Sequence, residues 1–188
     1  MSDADPGDET LIARYARGDA EAFTALYRRH ELRVWRYLER NVGNRACAEE
    51  LMQEVWFAVA RDAVRYQPTS TFSSWLFGIA RHRMLDAQRL RGTQLRLVTE
   101  GAQEQMATGD ARAEASPLGA ALEREQARIL RQAIAQLPAE QRDAFLLQVE
   151  GDLSVEEVAE ITRSAFETTK SRLRYARSRL RELMSAYA

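Results

Sequence analysis

Apolar residues recur through almost the whole chain at steps of three and four, and nowhere do they alternate over the length of a strand. That period belongs to helices packed on one face, so the predicted fold class is all-α. A first helix is expected near Asp8 to Arg17, stopped by Gly18. Asp19 caps a second, whose stripe of Phe23, Leu26, Tyr27, Val34, Tyr37 and Leu38 faces a core until Gly43. A third starts at Asn44 with Ala48, Leu51, Met52, Val55 and Val59 inward. After a connection holding Pro68, Thr69, Ser70 and Thr71, a fourth runs from about Phe72 to Arg91, with Phe72, Trp75, Leu76, Ile79 and Leu90 as candidate core positions. These four form one helical domain over residues 8–91.

The character changes over residues 92–121, where 30 residues hold four of the nine glycines, one of the four prolines and no sustained apolar stripe. This stretch reads as a flexible linker. A second helical domain, 122–188, opens near Leu122 with Ile129, Leu130, Ala133, Ile134 and Leu137 on one side and closes at Pro138. The next helix, Ala139 to Glu150, ends at Gly151. Ser154 with Glu157, and Ser164 with Glu167, are two capping boxes only ten residues apart. They enclose a short helix and a tight turn before a last helix from Ala165 to Met184, the order of a helix-turn-helix.

Composition narrows the class. The 188 residues carry 27 Lys or Arg and 28 Asp or Glu, a net charge of -1, with 45% hydrophobic residues. Collagenous, mucin-like and wholly disordered classes are excluded. The longest uncharged run, Tyr66 to Ala80, is 15 residues, too short to span a bilayer, and the acidic start Met1 to Asp5 is unlike a secretory signal. One cysteine, Cys47, cannot form an intrachain disulfide, and His30 and His82 make no ligand cluster. The expectation is a soluble cytoplasmic chain without metal or other cofactor.

Charge is concentrated where the helices are most informative. From Arg163 to Arg181 seven basic residues face one acidic, a charge of +6; from Phe72 to Arg91 the charge is +3, which leaves -10 for the remainder. In the last helix Phe166, Thr169, Leu173, Ala176, Leu180 and Met184 share one stripe, while Thr168, Ser171, Arg174, Tyr175 and Ser178 point away, flanked by Lys170, Arg172, Arg177, Arg179 and Arg181. One face packs and the other is free to meet phosphates and base edges. Tyr66, Phe72 and Trp75 surround the hydroxyls of Thr69, Ser70, Thr71, Ser73 and Ser74 ahead of Arg81 and Arg83, which suits unstacked bases of single-stranded nucleic acid. Trp75 is read first as core and the connection as the better platform. The helix with Glu49, Glu50, Gln53 and Glu54 has an acidic edge and, one position off its core stripe, Trp56 as an exposed aromatic, the marks of a protein-docking surface. No histidine has a nucleophilic partner and no Gly-rich phosphate loop occurs, so no enzyme and no small-molecule substrate are expected.

At these residues the chain resembles the bacterial extracytoplasmic-function (ECF) sigma factors of the sigma-70 family, the compact kind with regions 2 and 4. The resemblance runs from about Asp8 to Leu183, interrupted by the linker. Its marks are Gly18-Asp19-Ala20-Glu21-Ala22-Phe23, Ala48-Glu49-Glu50-Leu51-Met52-Gln53-Glu54-Val55 and Trp75-Leu76-Phe77-Gly78-Ile79-Ala80-Arg81, ahead of Asp86 and Arg89. In the second half they are Leu137-Pro138, Gln141-Arg142, Leu153-Ser154-Val155-Glu156-Glu157-Val158-Ala159 and Thr168-Thr169-Lys170-Ser171-Arg172-Leu173, with Ala176-Arg177.

The resemblance implies a transcription initiation factor whose partners are core RNA polymerase, promoter DNA and an anti-sigma factor. Glu49, Glu50, Gln53, Glu54 and Trp56 would dock on the beta-prime clamp helices, and the second half on the beta flap. Tyr66, Thr69, Ser70, Thr71, Arg81, His82, Arg83 and Arg89 would capture and open the minus-ten element. Thr168, Lys170, Ser171, Arg172, Arg174, Tyr175 and Arg177 would read the minus-thirty-five element. The sequence departs from the family pattern at His82, usually Asn, at Glu50, usually Asp, near Thr162, where a Gly is common, and at Glu167, usually Gly. Glu167 either accepts from cytosine N4 or closes a capping box with Ser164, the reading preferred here. The competing function is a sigma-like mimic that sequesters an anti-sigma factor without binding DNA. With acidic surfaces beside two cationic helices, the free chain is expected to be compact or variable, and to bind promoter DNA poorly until core polymerase extends it.

Overall fold

The computed structural model describes residues 6–97 and 117–185, and side chains over 6–90 and 125–185. Among the described residues the regular structure is helical: α1 (Asp8–Tyr15), α2 (Ala20–Val42), α3 (Arg45–Asp62), a short 3-10 turn (Ala63–Arg65), α4 (Phe72–Leu97), α5 (Pro117–Ala135), α6 (Ala139–Gly151), α7 (Val155–Thr162) and α8 (Phe166–Ser185). The acidic start Met1 to Asp5 and residues 98–116 of the expected linker lie outside the described residues. The helices on either side reach further in than their apolar stripes, because α4 continues past Arg91 to Leu97 and α5 starts at Pro117 instead of Leu122.

Local chemistry explains most of the boundaries. The Asp19 carboxylate accepts from the backbone N–H groups of Glu21 and Ala22, and the Asn44 side chain from that of Cys47, so both helix starts have the caps they need. Gly18 and Gly43 take φ of +100° and +66°, the left-handed backbone that ends the preceding helices. Ser154 and Glu157 form the predicted reciprocal box. The second box does not form: the Ser164 hydroxyl is bonded to those of Thr162 (2.8 Å) and Thr169 (2.7 Å), and Glu167 lies outward, 3.7 Å from Lys170 Nζ. The end of α6 is also shifted, since the left-handed residue is Asp152 (φ 55°) and Gly151 is the buried last helical residue.

In the first half α2 packs on α1 and α3, and α3 on α4. In the second, α8 lies across α5, α6 and α7. The halves meet where α6 packs on α2 and α7 on α4, and a single apolar cluster runs from Ile12, Leu26 and Val55 through Tyr37 and Phe77 to Leu147, Val158 and Leu173. Phe166 and Met184, expected on the inner stripe of α8, are both 41% exposed at its two ends; Leu90, in the last third of α4, is likewise exposed.

The N-terminal helix is pinned by charge. Asp8 accepts from His30 Nε2 at 2.7 Å and from Arg29, and Glu9 accepts the Phe72 N–H at 3.0 Å, which caps α4 from another part of the chain. Burial pushes the Asp8 carboxyl up, but the His30 and Arg29 partners outweigh it and hold it below its ordinary value. Asp8→Asn is therefore expected to lower the unfolding free energy by about 1–3 kcal/mol at neutral pH, measured in urea. Because the folded carboxyl titrates below its ordinary 3.8, this contribution is complete above that pH and fades as pH falls through the folded value.

In the turn between α7 and α8, Arg163 has φ of 53°, a conformation that costs an L-residue with a Cβ. Arg163→Gly should raise stability by about 1 kcal/mol, seen as a higher urea midpoint with unchanged slope; a lower midpoint would contradict this account of the turn.

Candidate nucleic-acid interface

The last two helices build a presentation platform. Val158 and Ala159 of α7 and Leu173, Ala176 and Leu180 of α8 are buried, so the helix pair is fixed by its own apolar edges. Thr169 is fully buried, and its hydroxyl meets Ser164 at the turn. The outward face of α8 then carries Thr168, Lys170, Arg174 and Tyr175, all exposed, with Ser171 half-buried beside them. Tyr175 is 54% exposed, and the Arg174 guanidinium lies 5.0 Å from its ring centroid, a cation–π contact on the surface. Two of the predicted cations are engaged elsewhere. Arg172 is paired with Glu140 of α6, and Arg177 donates to Gln148.

In the first half, the connection before α4 is built rather than slack. The Tyr66 hydroxyl donates to the Ser70 carbonyl at 3.0 Å, and its ring packs 5.1 Å from Trp75 and 6.2 Å from Phe72. Trp75 is half-buried in this aromatic set, so it is both packing residue and wall. Beside it, Ser70, Ser74, Trp75, His82 and Arg83 line a cavity of about 470 Å³ together with residues of α3, including Arg61 and Asp62, and Glu160 and Ile161 of α7. Thr69 is exposed at the tip, and Thr71 accepts the Ser74 N–H at 3.1 Å, capping α4. His82 Nδ1 and Arg89 both lie near Asp86, at 3.2 and 3.4 Å.

Arg81 overturns an expectation. Its side chain is only 20% exposed, and it donates to Asp143 of α6 at 2.7 Å and to the Ile161 carbonyl at 3.2 Å, so it faces the second half of the protein instead of solvent. Its partner is 62 residues away in sequence, beyond the reach of any local pattern.

On α3, Glu49, Glu50, Gln53 and Glu54 are exposed along one edge as predicted from their spacing, with Arg45 bonded to Glu49 at 3.0 Å. Trp56 is not the exposed aromatic. It is 6% exposed, covered by Phe23 at 5.8 Å edge to face and Tyr27 at 4.9 Å, because α2 packs over that side of α3. The exposed aromatic is Phe57 at 70%, which the sequence places three residues after Glu54 and four after Gln53, on the same acidic edge.

Among the described residues no His, Cys, Asp and Glu group could hold a metal ion, and no helix is long and apolar enough to cross a membrane.

Sigma-70 region 2 matches residues 26–94, and Sigma-70, region 4 matches residues 127–180. The RNA polymerase sigma factor CarQ of Myxococcus xanthus is 40% identical over 78 residues, a match to 42% of this chain that spans about half of CarQ (45%). The ECF RNA polymerase sigma factor SigL of Mycobacterium tuberculosis is 32% identical over 90% of this chain and 93% of its own. Among solved structures, the sigma factor RpoE of Bartonella quintana, in complex with the anti-sigma factor NepR, shares the fold with a TM-score of 0.72 at 24% identity, over 87% of this chain and 96% of RpoE. Matched in both halves and along nearly the full length of SigL, the chain belongs to the ECF sigma factors of the sigma-70 family.

Proposed function

We propose that this chain is a transcription initiation factor, not an enzyme, that binds core RNA polymerase and directs it to specific promoters. The observation that carries the reading is the outward face of α8, where Lys170, Arg174 and Tyr175 stand exposed on a helix whose other side is buried. A mimic that only sequesters an anti-sigma factor has no use for that face. In this reading α8 enters the major groove of the minus-thirty-five element, with Lys170 on phosphate and Arg174 and Tyr175 at base edges. The Tyr66 to Thr71 connection and the Ser70–His82–Arg83 cavity take an unpaired base of the minus-ten element. The solved neighbour is bound to an anti-sigma factor, which supports such a partner here as well.

The acidic edge of α3, with Phe57 at its end, docks on the polymerase clamp. Exposed aromatics are enriched in protein interfaces, and Phe57 is the large aromatic on this edge. Phe57→Ala should weaken binding to core polymerase by about 2 kcal/mol with little change in thermal stability. Trp56→Ala should instead cost about 3–5 kcal/mol of stability. Calorimetry together with a core-binding titration separates the two, and equal effects on both quantities would contradict the assignment.

Run-off transcription with purified core polymerase and a promoter library tests the function itself. The chain should confer transcription from a defined promoter set. Arg174→Ala should reduce promoter binding by about 1–3 kcal/mol and relax preference in the minus-thirty-five element, whereas Lys170→Ala should weaken all promoters alike and lower the salt slope by about one. Absence of core-dependent transcription, with intact binding to an anti-sigma factor, would favour the mimic.

A further inference from the structure

A chain of hydroxyls runs through the turn between α7 and α8. Thr162 lies 2.8 Å from Ser164, Ser164 lies 2.7 Å from Thr169, and Thr162 donates to the carbonyls of Val158 at 2.7 Å and Ala159 at 3.4 Å. Each hydroxyl has one proton to give, and the bond to the carbonyls fixes the direction of the others. A carbonyl can only accept, so the Thr162 proton is committed and Ser164 donates to Thr162. With the Ser164 proton spent in turn, Thr169 donates to Ser164. The relay therefore runs one way, from α8 through the turn to the backbone of α7. Its middle member is anchored a second time, because the Ser164 N–H donates to the Ala159 carbonyl at 3.0 Å. Thr162 and Ser164 are half-buried, and Thr169 is fully buried, so the Ser164 oxygen stands where water cannot.

This relay constrains what apolar contact leaves free. Val158, Leu173, Ala176 and Leu180 hold the helix pair together by burial, which has no direction. A hydrogen bond has one. Thr169 stands between Thr168 and Lys170, so a tie on its hydroxyl fixes the roll of the turn that carries them and of Arg174 and Tyr175 a turn further on. With side-chain tips about 5–6 Å from the helix axis, a roll of about 10° moves them by about 1 Å. That takes a base-edge hydrogen bond outside its range of about 2.7–3.2 Å.

We infer that Ser164 is a positioning residue for promoter reading, which through Thr169 sets the angle at which α8 presents Lys170, Arg174 and Tyr175. The inference rests on the reading of α8 as the helix that meets the minus-thirty-five element. Ser164 touches no DNA in this account, and its effect falls on the choice between sequences, which base edges carry and phosphates do not.

The test uses the full chain with core polymerase and compares Ser164→Ala, Thr169→Val and the double variant. One readout is the urea midpoint. The other is discrimination, the ratio of run-off transcripts from two templates in one reaction that differ in one base pair of the minus-thirty-five element and that the unchanged protein distinguishes. Both templates compete for the same folded protein, so a loss of stability alone leaves this ratio where it was.

Ser164→Ala strands the buried Thr169 hydroxyl and should lower the folding equilibrium constant about tenfold. Thr169→Val keeps the shape and removes the group that would be stranded, so alone or in the double variant stability should stay within about threefold of the unchanged protein. It also cuts α8 from the relay. Discrimination should therefore fall about threefold or more in all three variants, against the fivefold or greater effect, roughly, of a mismatch under a well-seated helix. Relaxed discrimination in Thr169→Val and the double variant, with their urea midpoints held, supports the positioning role, and neither depends on Ser164→Ala folding well. Unchanged discrimination in those two, with transcription intact, overturns the inference alone. Absence of core-dependent transcription by the unchanged protein overturns the reading of α8, and the inference with it.

Discussion

A carboxylate buried between two helices of another domain has to be paired on every side, and Asp143 is. Its two oxygens take the Tyr37 hydroxyl of α2 and the Arg81 guanidinium of α4, which fixes α6 against both helices at once. Burial and the neighbouring Asp143 charge push the Tyr37 phenol well up, so it remains a donor at every physiological pH. Around this point the apolar contacts fall into place. The Tyr37 and Phe77 rings meet edge to face at 5.5 Å, and the end of α6 at Gly151 closes over Phe77. Removing one partner of such a group strands the others in the interior, so the interface responds sharply to small chemical changes.

Much of this fold was legible because it is local. The capping residues Asp19, Asn44 and Ser154 act within three residues of themselves, and the buried stripe Leu173, Ala176, Leu180 follows from the turn of a helix. What was not legible depends on distant packing. Trp56 and Phe57 are adjacent, and nothing in their spacing says that Phe23 and Tyr27 would cover one and leave the other bare. Arg81 looked like a surface cation because its helix is basic, yet its partner comes from the opposite half. Phe166 and Met184 have the right phase for burial but lie at the two ends of α8, where each stays 41% exposed. Ser164 and Glu167 have the right spacing for a cap, and lose it because Thr162 and Thr169 offer the serine two closer hydroxyls.

The charge pattern acquires a meaning that a balance of residues does not show. The strongly acidic remainder is not spread evenly over the surface: Asp143, Glu150 and Glu157 stand on arginines and a hydroxyl of the first half, while Glu49, Glu50 and Glu54 face outward on α3. One set of carboxylates thus meets the first half and the other is exposed on α3. The face of α8 with Lys170, Arg174 and Tyr175 is exposed with the halves packed together, whereas Arg81 and Ser73 are engaged across the halves.

That asymmetry makes the distance between the halves the quantity to measure. Fluorophores on cysteines placed at Val64 and Val149, both exposed and one in each half, report it by single-molecule energy transfer in the otherwise unchanged protein. The account predicts one narrow, short-distance population in the free chain and its replacement by a long-distance population on core polymerase. The same distance in both states, or a broad long-distance population in the free chain, would contradict it.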